Sequence, residues 1–172
     1  MQPLLASVVH AAVARVMAWL RVAQYDPPTL FPRPRHMLHD TLALTHLYAR
    51  IADDRSFDEF HRVLAPHCKI SGPGYVMDGL PAILQGMEVL RQYDRTFHLV
   101  GNHTGEWQGD DLFIGETYCL ASHVYMREGQ EWKLDMAIRY QDRIERLAQG
   151  LRFAARELKL AYVQDLPLTM VR

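Results

Sequence analysis

Residues 95–107 read RTFHLVGNHTGEW and carry ionisable and amide side chains where a half-buried strand would carry Val or Ile. Alternate side chains of a strand share a face, so one face of this segment is predicted to be polar. That face holds His98, Asn102, Thr104 and Glu106, and the opposite face holds Phe97, Leu99, His103 and Trp107. Because buried polar groups need partners, the polar face predicts either a solvated exterior or a polar-lined pocket. We expect His103, on the other face, to be exposed or packed against a helix.

Three more extended segments follow, with glycine-containing turns between them. The four predicted strands are 96–108, 112–127, 131–146 and 150–163. Short turns of this kind join neighbouring antiparallel strands, so the pattern predicts an antiparallel meander. The Ala and Glu residues of the last segment also allow a helix. A run of arginines across the last two segments is interleaved with glutamates and predicts a salt-bridged outer strand face; its members are Arg143, Arg146, Arg152 and Arg156.

Three helices are predicted before the strands, at about 40–51, 56–64 and 79–93. Asp40 and Thr41 are candidate caps of the first, and Ser56 with Glu59 forms a capping-box pattern at the second. Pro81 suits the first turn of the third. The predicted helices precede a curved, mainly antiparallel sheet, and this order indicates an α+β fold. In such a fold the helices cover one face of the sheet and can leave a cavity between the two layers.

Residues 1–36 form a separate region in this interpretation. Apolar residues at helical spacing within 4–20 predict an extra, amphipathic N-terminal helix, which Arg15 interrupts and which is shorter than a membrane span. Four prolines within 25–34 predict a linker. The compact domain is predicted to span 37–166.

Bulk composition excludes several classes of function. With 172 residues, 49% of them hydrophobic, and a formal net charge of -1, the chain lacks the basic surplus that nucleic-acid binding needs. Its two cysteines, Cys68 and Cys119, form no CxxC pair, so a reducing, cytoplasmic setting is expected. No metal-ligand spacing or glycine-rich phosphate loop occurs, so we expect no metal and no other cofactor.

Several short motifs, in their order and spacing, resemble one known family. They lie at 47–54, 57–60, Gly86, 96–98 with Asn102, 109–110 and 139–142. Together they resemble the SnoaL-like branch of the nuclear transport factor two-like superfamily over about residues 38–164. The resemblance implies a cone-shaped α+β barrel that encloses a pocket, and an enzyme of lyase or isomerase type acting on a small, hydrophobic or cyclic molecule.

The resemblance also implies the site residues. An Asp at the end of the first helix orients a His on the sheet, which removes a proton from the substrate; the matching residues are Asp53 and His98. An imidazole held by a carboxylate is a suitable base near neutral pH. Tyr48, Asn102, Tyr118 and Arg139 are candidate substrate contacts. Arg139 and Tyr140 lie on opposite strand faces, so at most one of them reaches the pocket at that level.

Two alternatives stay open. The chain could be a non-catalytic member of the same fold that binds a ligand or assembles with other subunits. An epoxide hydrolase would need an Asp–Arg–Asp arrangement, for which Asp135, Arg139 and Asp142 are candidates, but strand alternation puts Asp142 on the opposite face from the other two. The resemblance further implies a homodimer formed through the outer face of the sheet. The short, interrupted N-terminal apolar segment predicts no membrane association.

Overall fold

The structure, a computed structural model, describes residues 36–169. The predicted N-terminal helix and linker lie outside this range, and the domain boundary at residue 37 stays a prediction. Two α-helices, two 3₁₀-helices and six strands make up the described part. The helices are α1 (His36–Asp54), α2 (Leu80–Met87) and the 3₁₀-helices Phe57–Arg62 and Glu88–Gln92. The strands are β1 (Leu64–Gly72), β2 (Tyr75–Asp78), β3 (Arg95–Gln108), β4 (Leu112–Arg127), β5 (Gln130–Leu147) and β6 (Gly150–Pro167).

The six strands form one sheet in the order β2-β1-β6-β5-β4-β3. Every neighbouring pair is antiparallel except β1 and β6, which run parallel. The predicted α+β class with a mainly antiparallel sheet is therefore confirmed. The last segment is a strand, and β4 has the predicted bounds.

The helices differ from their predicted forms. Because α1 begins at His36, Asp40 and Thr41 lie inside it instead of capping it, and Thr41 Oγ1 donates to the carbonyl of Leu38 at 3.0 Å. The second helix is a 3₁₀-helix, in which Ser56 makes no side-chain cap bond. Its buried residues Phe57 and Phe60 are three apart, which suits three residues per turn. The third ends as an α-helix at Met87 and continues as a 3₁₀-helix.

The core lies between α1, the short helices and one face of the sheet, which we call the inner face. Phe60, Phe113, Ile144 and Phe153 are fully buried there. The opposite, outer face exposes Phe97, Leu99 and Tyr162. Within residues 36–169, no helix is both long enough and apolar enough to cross a bilayer.

Among the irregularities in the strands, one in β3 and one in β6 decide which residues point inward near the site. In β3, the pairing shifts between Val100 and His103, so that three steps of β3 face two steps of β4. In β6, it shifts next to Phe153, so that Ala154 is the extra residue. Such bulges reverse the alternation of faces. His103 and Arg156 consequently turn inward, which corrects two predictions: His103 shares the face of His98, and Arg156 is buried instead of lying on an outer salt-bridged face.

Candidate active site

Asp53 lies in the last turn of α1, with its carboxylate against the start of β3. A negative charge at the C-terminal end of a helix opposes the helix dipole, so this position gains nothing from the helix itself. Three donors from β3 compensate. Thr96 Oγ1 donates to Asp53 Oδ1 at 2.8 Å, the backbone N–H of His98 donates to Oδ2 at 2.8 Å, and His98 Nδ1 lies 2.7 Å from Oδ1.

These bonds set the charge of Asp53 and the tautomer of His98. Burial acts to raise the pKa of Asp53, but the hydrogen bonds from His98 and Thr96 outweigh it and hold the pKa below its usual value. The carboxylate is ionised at neutral pH, so it can only accept a hydrogen bond, and His98 Nδ1 carries the proton that it donates to Asp53 Oδ1. The lone pair of the neutral imidazole is then on Nε2. The His98 side chain is only 8% exposed, so this nitrogen lies in a shielded site.

A cavity of about 460 Å³ lies next to His98, between the inner sheet face, α1, the β1–β2 hairpin and α2. Most of its wall is apolar: Ala52, Ile70, Met77, Met87, Val89, Leu90, Met136 and Leu158. The polar lining residues are Tyr48, Tyr75, His98, His123 and Tyr140. Of the described residues, no Lys, Arg, Asp or Glu is in this lining. The wall at Gly86 is tightly fitted, since a Cβ there would collide with the sulfur of Met77.

His123 is a pocket residue that the sequence did not reveal as one. Its ring centroid is 5.7 Å from that of His98, and its Nδ1 is buried with no hydrogen-bond partner among the described residues. Burial, aided by the nearby His98, lowers the pKa of His123 to about 4, so the ring is neutral at pH 7. In a regular β3–β4 hairpin His98 would pair with Ser122, but the bulge pairs it with Ala121 and so puts His123 on its face.

Arg156, whose side chain is 2% exposed, lies behind two of the tyrosines that line the cavity. Its guanidinium lies 4.4 Å from the ring centroid of Tyr48 and 4.0 Å from that of Tyr140, and both tyrosines line the cavity. Arg156 Nε donates to Asp142 Oδ1 at 2.8 Å. A hydroxyl from β4 completes this cluster, since Thr117 Oγ1 donates to Asp142 Oδ2 at 2.6 Å.

His103 extends the Asp142 cluster toward α1. Its Nδ1 lies 2.9 Å from Thr117 Oγ1, and its Nε2 lies 2.9 Å from Thr41 Oγ1. Burial lowers the pKa of His103, and the charge of Asp142 opposes that shift in part. The chain of bonds ties α1 to β3, β4 and β5 behind the cavity.

The other predicted contacts lie apart from the cavity, with the exception of Tyr48, which lines it. Asn102 is exposed in the β3 bulge. Tyr118 and Arg139 pair on the outer face, where the Arg139 guanidinium lies 5.1 Å from the Tyr118 ring centroid. This corrects the expectation that these three residues line the pocket, and it identifies Tyr140 as the pocket-facing member of the Arg139–Tyr140 pair. Asp135 and Asp142 lie on opposite faces, as strand alternation predicted.

Potential metal-ligating side chains and the two cysteines lie in the described part of the chain. Within residues 36–169, no three His, Cys, Asp or Glu side chains are grouped so that they could hold an ion. Cys68 and Cys119 are both buried, and burial raises the pKa of each thiol.

The family model of the SnoaL-like domain matches residues 38–157. No curated protein matches the chain. Among solved structures, a protein of Novosphingobium aromaticivorans assigned as a scytalone dehydratase is similar with a TM-score of 0.67 and 19% identity, over 78% of this chain and 88% of that one.

Two further solved structures are similar at the level of the fold. The hexachlorocyclohexane dehydrochlorinase LinA-type3 of Novosphingobium barchaimii gives a TM-score of 0.65 and 16% identity, over 77% of this chain and 90% of that one. The beta subunit of a protein of N. aromaticivorans assigned as an aromatic-ring-hydroxylating dioxygenase gives 0.60 and 14%, over 74% and 90%.

Proposed function

The chain belongs to the SnoaL-like domain family, and on that premise we propose that it is a cofactor-independent enzyme of lyase or isomerase type. His98 is the general base, and Asp53 orients it and stabilises its protonated form. The observation that carries the proposal is the 2.7 Å contact between His98 Nδ1 and Asp53 Oδ1 beside a mostly apolar cavity.

The proposed step is removal of a proton from carbon. His98 Nε2 takes a proton from a carbon next to an electron-withdrawing group, and the C–H electron pair either moves onto that group or expels a leaving group from the neighbouring carbon. The imidazolium that forms faces the ionised Asp53, which lowers the energy of the charged intermediate. A positioned base of this kind contributes about 10²–10⁴-fold to the rate.

The lining of the cavity favours a substrate without charge. A carboxylate or phosphate would meet no lysine or arginine in the described lining and would lose its hydration without gaining an opposite charge. The apolar wall with three methionines suits a hydrophobic, cyclic molecule, and sulfur makes favourable contacts with aromatic rings. His123, Tyr48 and Tyr140 supply neutral hydrogen-bonding groups for one polar end of such a molecule.

A probe substrate tests the base without knowledge of the natural one. 2-Tetralone is an uncharged bicyclic ketone whose C1 protons are acidic, and enzyme-catalysed exchange of these protons in D₂O is measured by mass spectrometry. We expect the wild-type chain to speed deuterium incorporation, His98→Ala to abolish the effect, and Asp53→Asn to reduce it about 10²-fold or more.

A matched control comes from the surface of the same molecule. His67 and Glu145 form a second His–carboxylate pair, with Nε2 3.1 Å from Oε2, but the His67 side chain is 60% exposed. His67→Ala should leave the exchange rate unchanged. If wild type and His98→Ala both bind the probe and exchange its protons at the same rate, the result contradicts the proposed role of His98 and favours the non-catalytic, ligand-binding alternative.

The assembly that we propose is a homodimer formed through the outer sheet face. Phe97, Leu99 and Tyr162 are more than half exposed there, at 62%, 55% and 56%. Exposed apolar side chains grouped on one face are typical of an interface. The same face is the one that the family resemblance implies.

A further inference from the structure

The ion pair of Arg156 and Asp142 is the most deeply buried charged feature of the described chain. Their side chains are 2% and 0% exposed. A buried ion pair is in general no better for stability than apolar residues of the same size, because both charges lose their hydration. Its place in the molecule therefore points to another role.

The guanidinium is enclosed by aromatic rings from three elements. It lies 4.4 Å from the ring centroid of Tyr48 on α1, 4.0 Å from that of Tyr140 on β5, and 4.2 Å from that of Phe153 on β6. Cations attract the faces of such rings. Two of the three rings, those of Tyr48 and Tyr140, line the cavity together with His98. Arg156 lines a smaller void together with these two tyrosines and His98.

Asp142 fixes the orientation of the guanidinium. Arg156 Nε and Nη2 donate to the two carboxylate oxygens at 2.8 Å and 3.2 Å, and Thr117 Oγ1 also donates to Oδ2. A two-point contact of this kind lies in the plane of the guanidinium. Its faces then stay free for the tyrosine rings.

The positive charge also acts on the phenols. Burial raises the pKa of both hydroxyls, and Arg156 opposes this increase at each of them. At Tyr48 the effect of Arg156 is larger than the opposite effect of Asp142, so the pair acts as a net positive neighbour. A phenol that is easier to ionise is a stronger hydrogen-bond donor to an oxygen that gains negative charge.

We propose that Arg156, held by Asp142, is a positioning residue that fixes the rings of Tyr48 and Tyr140 and strengthens their hydroxyls as donors to the electron-withdrawing oxygen of the substrate. The chemical purpose rests on the proposed function, since proton removal by His98 moves negative charge onto that oxygen. The effect on the tyrosines themselves does not depend on any substrate.

The test measures the phenols directly in the full-length chain. 2,3,5-Trifluorotyrosine, whose phenol ionises in an accessible pH range, is placed at position 48 or 140, and its pKa is read from the fluorine NMR shift. The double variant Arg156→Gln/Asp142→Asn removes both charges and keeps a hydrogen-bonding pair, and Arg156→Met/Asp142→Leu is a second neutral pair with apolar packing. We expect the probe pKa to rise by about one unit or more at both positions in each folded variant.

The outer face supplies the matched control. Arg139 lies over Tyr118 at 5.1 Å, but the Arg139 side chain is 52% exposed. Arg139→Gln should therefore leave the pKa of the same probe at position 118 nearly unchanged. An unchanged pKa at positions 48 and 140 in either folded neutral pair, or a change no larger than at 118, overturns the proposal.

The two proposals fail separately. If the neutral pairs leave the phenol pKa unchanged, the proposed role of Arg156 fails, but the test of His98 by tetralone exchange still stands. If the chain does not catalyse tetralone exchange, the fluorine titration still reports the effect of Arg156 on the tyrosines.

Discussion

Two clusters of the same three chemical groups lie on opposite faces of strands β4, β5 and β6. The inner cluster contains Arg156, Asp142 and Tyr140, and the outer one contains Arg139, Glu116 and Tyr118. In each, an arginine bonds a carboxylate and covers a tyrosine ring. The charged side chains of the inner cluster are at most 2% exposed, whereas those of the outer one are 52% and 21% exposed.

The comparison shows that burial, and not the list of partners, decides what such a cluster does. Water screens the outer pair and competes for its hydrogen bonds, so its contribution to stability is small. The inner charges have no access to water, so each depends on the other, and their field reaches the neighbouring phenols with little screening.

The largest expected effect comes from breaking one pair on each face. Asp142→Asn leaves the charge of Arg156 buried without a counter-ion and should lower the free energy of unfolding by ~3–5 kcal/mol. Glu116→Gln makes the equivalent change at the outer cluster and should cost about 1 kcal/mol or less. Urea denaturation followed by circular dichroism measures both. Equal losses would show that burial does not separate the two clusters.

A second inner-face effect should appear in the pH dependence of stability. The pKa of His123 is about 4 in the folded chain against an ordinary 6.5, because burial and the nearby His98 disfavour the charged ring. The unfolded chain therefore binds more protons between these values, and stability falls as the pH drops from 6.5 to 4. The full loss is about 3 kcal/mol, from ~1.36 kcal/mol for each unit of the shift.

Replacement of His123 isolates its contribution. His123→Phe keeps a ring at the site without the titrating nitrogen and should remove this part of the slope, as measured by urea denaturation at several pH values. The titratable groups that also act on His123 are His98, Asp53 and Asp135, and they stay in place, as does the backbone of Leu134. Exposed His67 is the control, and its replacement should leave the slope unchanged. A slope that survives His123→Phe would assign the pH dependence to other residues.

The smallest effect on the folded monomer should come from the apolar outer face. Phe97→Lys together with Leu99→Lys adds charge where both side chains are already exposed, so the stability of a subunit should change by less than about 0.5 kcal/mol. The proposed homodimer should nevertheless dissociate, which sedimentation velocity detects. The proposed interface is contradicted if the double variant sediments as a dimer like the wild type, or if the wild type is already a monomer.

Much of the fold could be predicted from local sequence because the turns are short and the strands long. β4 has the predicted bounds, and β3 and β5 begin one residue before them. The parallel pairing of β1 with β6 could not be predicted, since the partners are distant in sequence and no turn connects them. The 3₁₀ form of the second helix depends on how Phe57 and Phe60 pack, which propensity does not describe.

The site was predictable only where the family resemblance reached it. Asp53 and His98 occupy the positions that the motifs implied and are hydrogen-bonded, whereas their catalytic roles stay a prediction. Alternation alone misplaced His103 and Arg156, because the inward orientation of each depends on a bulge that adds one residue to a strand. Nothing in RTFHLVGNHTGEW marks Gly101 and Asn102 as the irregular step. The expected contacts Tyr118 and Arg139 failed for a different reason, since the sequence does not say which set of alternate residues in β4 and β5 faces the helices.

The bulge in β3 makes the protein sensitive to a kind of genetic change that differs from substitution. Loss of the single codon for Asn102 would remove the bulge, and every side chain on one side of the deletion would move to the opposite face of the sheet. The hairpin at Gly109 anchors the distal half, so the proximal half carrying His98 would exchange its faces. One in-frame deletion would thus remove the His98 imidazole from the site without altering any other amino acid, and compensating for it would require an equally small insertion nearby.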